Sequence, residues 1–373
     1  MSRRAEGPSQ VKEVALGEIL ELRYGKALSA KNRSGKGNPV YASGGRVGYH
    51  DDAVTNGAAV VIGRKGSIGS AYFSETKCWP IDTTYYVDAT CTNQNLRWLF
   101  RLLSSLPLHT MNKSAAVPGL NRDDVYRLRV NLPNKNEQRR IACILDKAET
   151  LRTKRRAAIA HLDTLSQAIF HEMFGDPLEV NAEEAVPFSK MTTRITYGFT
   201  SPMKHLNEGI PILTGKNVQR GVLDVENVHY ADPKEFEALT DKSKPKIGDV
   251  LITKDGTIGR SAVVEIEPIC INQSVALIQL EKSRVTPRYV QGLISHSSVQ
   301  RKFQGMKKGN SIPHLQITEL AAMPVRMAPV QLQNEFTSRV SSVERLKVTH
   351  RAQLTELDNL FRSLQDSAFK GEL

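Results

Sequence analysis

The feature that most constrains this chain is that it repeats itself once. Arg64-Lys-Gly-Ser-Ile-Gly69 in the first half is matched by Lys254-Asp-Gly-Thr-Ile-Gly259 in the second, with Arg64 and Lys254 190 residues apart (254 − 64). Near the same offset Ile81-Asp82 parallels Ile271-Asn272, and Met111-Asn-Lys-Ser114 parallels Met306-Lys-Lys-Gly309. Val117-Pro-Gly-Leu120 then parallels Ile312-Pro-His-Leu315, and Phe174-Gly175 is echoed by Phe369-Lys-Gly371. Identity is low, but order and spacing persist, which an ancient duplication explains better than chance. A duplicated chain of 373 residues is also too long for one ordinary domain and implies two or more cores.

Each half has a strand-like part and a helical part. Short β-rich runs such as Ala58-Ala-Val-Val-Ile62 and Asp249-Val-Leu-Ile-Thr253 are bounded by Gly, Asn and Asp turns. Helical runs follow at about 136–174 and 331–369, free of Pro and Gly. Pro133 and Pro329 stand just before them and Gly175 and Gly371 just after, as helix starts and stops require. Apolar or small residues recur at three- and four-residue spacing. The first seam is Ile141, Ile144, Ala148, Leu151, Ala158, Leu162, Leu165 and Ile169. The second is Phe336, Val340, Val343, Leu354, Leu357, Phe361, Leu364 and Ala368. Leu346 and Leu360 are counted with the spacer residues. At 1.5 Å per residue each helix is roughly 55–60 Å long. Two such stripes in one duplicated chain are expected to pair antiparallel about a pseudo-two-fold axis; helices that merely cap separate domains rarely need this length. Arg155 and His350 fall at matching seam positions near mid-helix, so the reading makes them a polar layer that sets register.

Lys plus Arg number 51 against 39 acids, a net charge of +12 that favours a polyanionic partner. Aromatics are only 6%, so a surface contacting duplex phosphates fits better than one stacking many unpaired bases. No apolar run is long enough to span a bilayer, and the opening Met1-Ser-Arg-Arg reads as a loose tail over 1–10 rather than a signal peptide. Cys78, Cys91, Cys143 and Cys270 are scattered without a CxxC or His pair, which argues against zinc and fits free thiols in a reducing cytoplasm.

The two Gly-x-Ile-Gly turns read first as structural, through Gly66, Gly69, Gly256 and Gly259, with Arg64, Lys65 and Lys254 placed to reach phosphates. Lys113 and Ser114 in one half, and Lys307, Lys308, Asn310 and Ser311 in the other, form basic loops that offer donors to phosphates and base edges, or are ordinary solvated loops. Three apparent catalytic patterns fail. Asp51 or Asp52 with Glu75-Thr-Lys77 imitates a nuclease but has no second copy. Asn38-Pro-Val-Tyr41 imitates an adenine methyltransferase motif but lacks its second Pro and a glycine-rich cofactor loop. Gly209 to Lys216 imitates a P-loop at the wrong spacing, with Asn217 where Ser or Thr would bind magnesium, which leaves Lys216 as a DNA-contact candidate.

In their order, these segments resemble the specificity subunits of type I restriction-modification systems. Pro39-Val-Tyr-Ala-Ser-Gly-Gly-Arg-Val-Gly-Tyr49 and Gly209-Ile-Pro-Ile-Leu-Thr-Gly-Lys-Asn-Val218 resemble the two common openings of that family's target-recognition domain. Gly248-Asp-Val-Leu-Ile-Thr-Lys-Asp-Gly-Thr-Ile-Gly259 resembles its strand-turn signal. Pro133-Asn-Lys-Asn-Glu-Gln138 and Met173-Phe-Gly-Asp-Pro177 resemble the start and end of its first helix, and Ala368-Phe-Lys-Gly-Glu-Leu373 its C-terminus. Two departures stand out. The second helix opens Pro329-Val-Gln-Leu-Gln-Asn-Glu335 without a clean Glu-Gln pair, and the first turn lacks the Gly-Asp before its strand.

The expectation is an α/β (α+β) chain with two target-recognition domains separated by a long antiparallel two-helix coiled coil, internally duplicated with pseudo-two-fold symmetry. The division is a tail over 1–10, domains over 11–133 and 183–329, helices over 134–174 and 330–373, and a linker over 175–182. Each domain is expected to enter the major groove, with the helices as a ruler between unlike half-sites. The resemblance implies a non-catalytic subunit that binds double-stranded DNA and recruits two adenine methyltransferase subunits and two restriction subunits. It also implies S-adenosylmethionine, ATP and Mg on those partners and no cofactor or metal in this chain. Two alternatives stay open: a subunit serving a combined methylase-nuclease, and a coiled-coil scaffold that binds only proteins.

Overall fold

The computed structural model describes residues 12–111, 119–305 and 314–373. The tail expected over 1–10 lies outside the described residues. The chain forms two compact units, one running to Arg156 and completed by Ala352–Leu373, the other Ala157–Arg351.

In the first unit, Lys12–Ala15 pairs antiparallel with Arg129–Leu132. A four-stranded antiparallel sheet runs in the order Arg23–Tyr24, Thr84–Asp88, Ala59–Gly63, Ala71–Ser74. A three-stranded sheet has the order Gly45–His50, Asn38–Ala42, Trp79–Pro80, and its last pairing is parallel. The second unit repeats this. Val186–Pro187 pairs with Pro324–Val325. The four strands are Thr192–Tyr197, Val275–Leu280, Val250–Thr253 and Ser261–Val263. The three are His229–Ala231, Ile210–Leu213 and Cys270–Ile271, again ending in a parallel pair. Every pairing recurs with the same sense, so the duplication expected from the motifs is present in the topology. Its register differs by one residue from the motif alignment. Ile81 N–H donates to Tyr41 O as Asn272 N–H donates to Leu213 O, so Ile81 corresponds to Asn272 and not to Ile271.

The central strands are buried along their whole length, because the sheet is covered on both faces. Their alternate side chains sort to two cores. Val60 and Ile62 pack with Trp98, Leu99 and Leu102 of the helix Leu96–Ser105, whereas Ala59 and Val61 face Tyr41 and Cys78. In the second unit Val250 and Ile252 join Tyr289, Val290 and Leu293 of the helix Pro287–Ser295, and Leu251 joins Leu213 and Ile271.

The long helices span Lys135–Phe174 and Val330–Lys370. Asn134 caps the first through bonds from the backbone N–H groups of Asn136 and Glu137. Gly175 and Gly371, at φ +69° and +82°, follow their ends. Within each unit the helix segments pair antiparallel. In the first, Arg140 donates to the Leu373 carbonyl while Arg152 Nε meets Asp358 at 2.5 Å. In the second, Lys347 meets Asp163 at 2.7 Å while Phe336 packs edge-on against Phe170.

The expected seam needs correcting. Leu151, Leu165, Leu346 and Leu360 are 45–53% exposed, and Leu162 and Leu357 are half-buried. From Ala148 the packed stripe steps by four to Arg152 rather than by three to Leu151, and from Val343 to Lys347 rather than Leu346. Both cations are held by carboxylates. Arg152 pairs with Glu149 and Asp358, and Lys347 with Glu344 and Asp163. A shift of 195 residues maps Glu149, Arg152 and Asp163 onto Glu344, Lys347 and Asp358. Each unit therefore holds one copy of a single acid-base-acid arrangement. Arg155 and His350 are both half-buried and fall in different units.

Candidate nucleic-acid interface

The two Gly-x-Ile-Gly turns fold alike, bond for bond. Gly69 N–H donates to Gly63 O and Ile68 N–H to Gly66 O; Gly259 donates to Thr253 and Ile258 to Gly256 in the same way. The glycines sit at φ +77° and +74° in the first turn and +75° and +87° in the second, a region that disfavours side chains. Behind each turn, Arg64 N–H donates to Thr83 O and Lys254 N–H to Ser274 O. The carbonyls of Arg64 and Lys254 accept from Leu120 and Leu315, where the chain returns from the basic loop of each half. The turn thus fixes one end of that loop.

Arg64 donates to the Asp82 carbonyl at 2.7 Å and lies over the rings of Tyr24 and Tyr85, 5.4 and 6.0 Å from their centroids. Its Nε is buried and has no hydrogen-bond partner among the described residues. Arg122 covers Tyr24 as well, at 5.6 Å. Burial pushes the Tyr85 hydroxyl up to about 12, so the group stays protonated; it donates to the Leu120 carbonyl at 3.0 Å. Lys254 is only 7% exposed, pairs with Asp255 at 3.2 Å, approaches His314 Nδ1 at 3.4 Å, and lies 5.1 Å from the Tyr197 ring centroid. Asp255 in turn bonds His314. Lys242 lies 5.8 Å from the same Tyr197 centroid.

Lys65 and Lys216 are exposed. Lys216 sits in a turn closed by Thr214 donating to Asn217 Oδ1 at 2.8 Å and by Gly215 N–H donating to Ser274 Oγ at 2.8 Å. Lys113, Ser114, Lys307, Lys308, Asn310 and Ser311 lie outside the described residues. Among the described residues no helix is long and apolar enough to cross a membrane.

Residues 8–161 match the family model of the type I restriction modification DNA specificity domain. The same pairing scheme returns in Ala157–Arg351. Over these residues the chain is similar to the specificity subunits of type I restriction-modification systems. Two curated relatives come from Escherichia coli. The type I restriction enzyme EcoprrI specificity subunit is 28% identical over 146 residues, 38% of this chain. The EcoBI specificity subunit is 25% identical over 185 residues, 48% of this chain. The chain covers 36% and 39% of those relatives' own length. The fold is similar to the crystal structure of a type I restriction-modification system S subunit from M. genitalium, with a TM-score of 0.61, 14% identity and 98% of each chain covered.

Sequence reading missed two features of this chain. The first is a buried glutamine at the start of each long helix. Gln138 accepts from Asn95 N–H at 2.9 Å and donates to the Pro133 carbonyl at 2.9 Å. Gln333 accepts from Thr286 N–H at 2.8 Å and donates to the Ala328 carbonyl at 2.7 Å. The apparent departure at the second helix is therefore no loss, because Gln333 stands where Gln138 does. The second is the exposed pair Tyr24 and Tyr197 beside the turns. The repeated dipeptides Tyr24-Gly25 and Tyr197-Gly198 carry that signal.

Proposed function

We propose that this chain is the specificity subunit of a type I restriction-modification complex, which reads a bipartite, asymmetric site in double-stranded DNA and positions adenine methyltransferase and restriction subunits on it. One target-recognition domain, 11–133, reads one half-site and the other, 183–329, the second, with the helices 134–174 and 330–373 as the spacer. One observation carries this reading: the same domain topology occurs twice in the chain while the sequences differ. Two copies of one scaffold with unlike surfaces suit two unlike half-sites, since the major groove distinguishes all four base pairs.

Arg64, Lys65, Lys216 and Lys254, with Lys113, Ser114, Lys307, Lys308, Asn310 and Ser311, are the proposed DNA contacts, and the net charge of +12 supports a strong phosphate contribution. Lys254 is held inside its own domain by Asp255, so of these it has the least freedom to reach DNA. Arg155 and His350, with the leucines of the two helices, are proposed to set the register. The chain itself is non-catalytic in this reading and acts in the cytoplasm. The methyl donor S-adenosylmethionine belongs to two methyltransferase subunits that act on a flipped adenine, and ATP and Mg belong to the restriction subunits.

Co-expression with the neighbouring methyltransferase, followed by genome-wide mapping of methylated adenine, tests the proposal. A gapped, asymmetric motif that depends on this chain supports it. A short continuous motif, or methylation indifferent to this chain, overturns it and favours a protein-binding scaffold.

A further inference from the structure

Tyr24 and Tyr197 hold the same place in the two units. Tyr24 is the last residue of the edge strand Arg23–Tyr24 and lies opposite Tyr85, one position beyond Thr84; Tyr197 ends the edge strand Thr192–Tyr197 opposite Ala276, one position beyond Val275. Thr84 and Val275 are themselves equivalent, being opposite Gly63 and Thr253 at the root of the two turns. Each tyrosine is followed by a glycine pressed onto the same piece of backbone. A Cβ on Gly25 would stand 2.1 Å from the Ile81 carbonyl oxygen and 2.5 Å from that of Pro80; on Gly198 it would stand 1.9 and 2.7 Å from those of Ile271 and Asn272. The packing that aims the tyrosine is therefore built twice.

Both rings are exposed, 52% for Tyr24 and 40% for Tyr197, and both are overlaid by cations. Arg64 and Arg122 cover Tyr24, and Lys254 and Lys242 cover Tyr197. Lys254 is neutralised by Asp255. Among the described residues, Arg64, Arg122 and Lys242 meet no carboxylate. A lone exposed tyrosine is ordinary. An exposed tyrosine under an unneutralised cation recurs at the same ladder position of two divergent domains, although Arg122 comes from the helix Arg122–Tyr126 after the turn and Lys242 from Asp241–Ser243 before it. The rings hold the cations in place, and the phenol supplies a further donor at the same surface.

We propose that Tyr24 with Arg64 and Arg122, and Tyr197 with Lys242, are equivalent phosphate seats that anchor duplex DNA in each target-recognition domain without reading its sequence. The assignment to phosphate rests on the duplication itself. Two domains that read different half-sites must differ where they touch bases, so what they share belongs to the part of DNA that does not change, its backbone. The inference presupposes the proposed reading of a bipartite site.

The full chain is titrated by fluorescence anisotropy against a duplex carrying its methylated motif and against one without it, at several salt concentrations. Arg122→Gln, Lys242→Gln, Tyr24→Ala and Tyr197→Ala are each expected to weaken both duplexes by the same factor, about five- to tenfold. The two Gln variants are expected to make the slope of log affinity on log salt shallower by about 0.9. The mapped motif stays unchanged. Arg122→Gln and Lys242→Gln leave the rings in place, so they test the seats even if a Tyr→Ala variant fails to fold. A selective loss on the cognate duplex or a relaxed motif would make these residues base readers and overturn the assignment, as would unchanged affinity and slope. If the wild-type chain itself shows no sequence preference, the proposed function fails; if it is selective and the variants are indifferent, only the phosphate seats fail.

Discussion

At the scale of single residues, the fold depends on polar groups that hydropathy does not reveal. Gln138 and Gln333 are 1% and 0% exposed, and each ties the first turn of a long helix to the cap of its domain helix, Asn95 in one unit and Thr286 in the other. Truncation leaves a buried N–H and a buried carbonyl without partners, and an unmade buried bond costs about 1–3 kcal/mol for each group. Gln138→Ala and Gln333→Ala are each expected to destabilise by about 2–4 kcal/mol in chemical denaturation. Glu137→Ala, which loses only the i,i+3 pair with Arg140, is expected to stay within about 0.5 kcal/mol. Equal losses at Glu137 and Gln138 would show that the Glu-Gln pair acts as a unit. The Glu-Gln dipeptide was visible as a motif in the sequence, but which of its members matters follows only from burial. For that reason the start of the second helix, with Gln333 and no preceding Glu, looked like a departure.

At the scale of elements, the helices were legible and their packed face was only partly so. Start, stop and length follow from Pro133, Pro329, Gly175 and Gly371 and from a long run without breakers. The seam was misjudged where it steps from Ala148 to Arg152 and from Val343 to Lys347, because an apolar pattern credits Leu151 and Leu346 over a cation that is paired with one acid on its own helix and one on the other. The strand register slipped by one residue at Ile81 for a related reason: a shared isoleucine fitted the motif, whereas backbone bonds set the equivalence. The tyrosines were missed because they lie 173 residues apart (197 − 24), not 190, the chain between tyrosine and turn being longer in the second half. The two ion-pair sets differ in strength. Lys347 has a side chain only 4% exposed, with Asp163 and Glu344 as partners. Removing both acids strands a buried ammonium, so Asp163→Ala with Glu344→Ala is expected to cost about 3–5 kcal/mol in denaturant unfolding of the full chain, and adding Lys347→Met to recover most of it. Asp358→Ala leaves Arg152 with Glu149 and removes a carboxylate 35% exposed, so it is expected to cost at most about 1 kcal/mol. A Lys347→Met triple variant no more stable than the double would mean that the acids, rather than the stranded charge, carry the loss.

At the scale of the whole molecule, the chain order and the compact units do not coincide, and this has a consequence for folding. Ala157–Arg351 is continuous, and among the described residues its main core cluster comes from within the unit, Phe170 and Phe174 of one helix segment packing with Phe336 and Val340 of the other and with Tyr289 between the domain and the helices. The first unit is discontinuous. Its core takes Ala368 and the half-buried Phe361, Leu364, Phe369 and Leu373 from the far end of the chain, beside Ile141, Ala142 and Leu145. Arg101 and Arg152 both lie over the Phe361 ring, and Asn131 donates to the Phe369 carbonyl. A fragment of residues 157–351 is therefore expected to unfold in a single cooperative transition. A fragment of residues 1–156 is expected to be less stable alone and to gain stability when a peptide of residues 352–373 is added, because burying several apolar side chains contributes about 1.5–3 kcal/mol each before ordering costs are deducted. Thermal melts followed by circular dichroism across a titration of the peptide measure this, with Phe361→Ala peptide as the control. A melting temperature of the 1–156 fragment that does not rise with peptide concentration would mean that the first domain completes its core without the end of the chain, and that the last helix joins it only after folding.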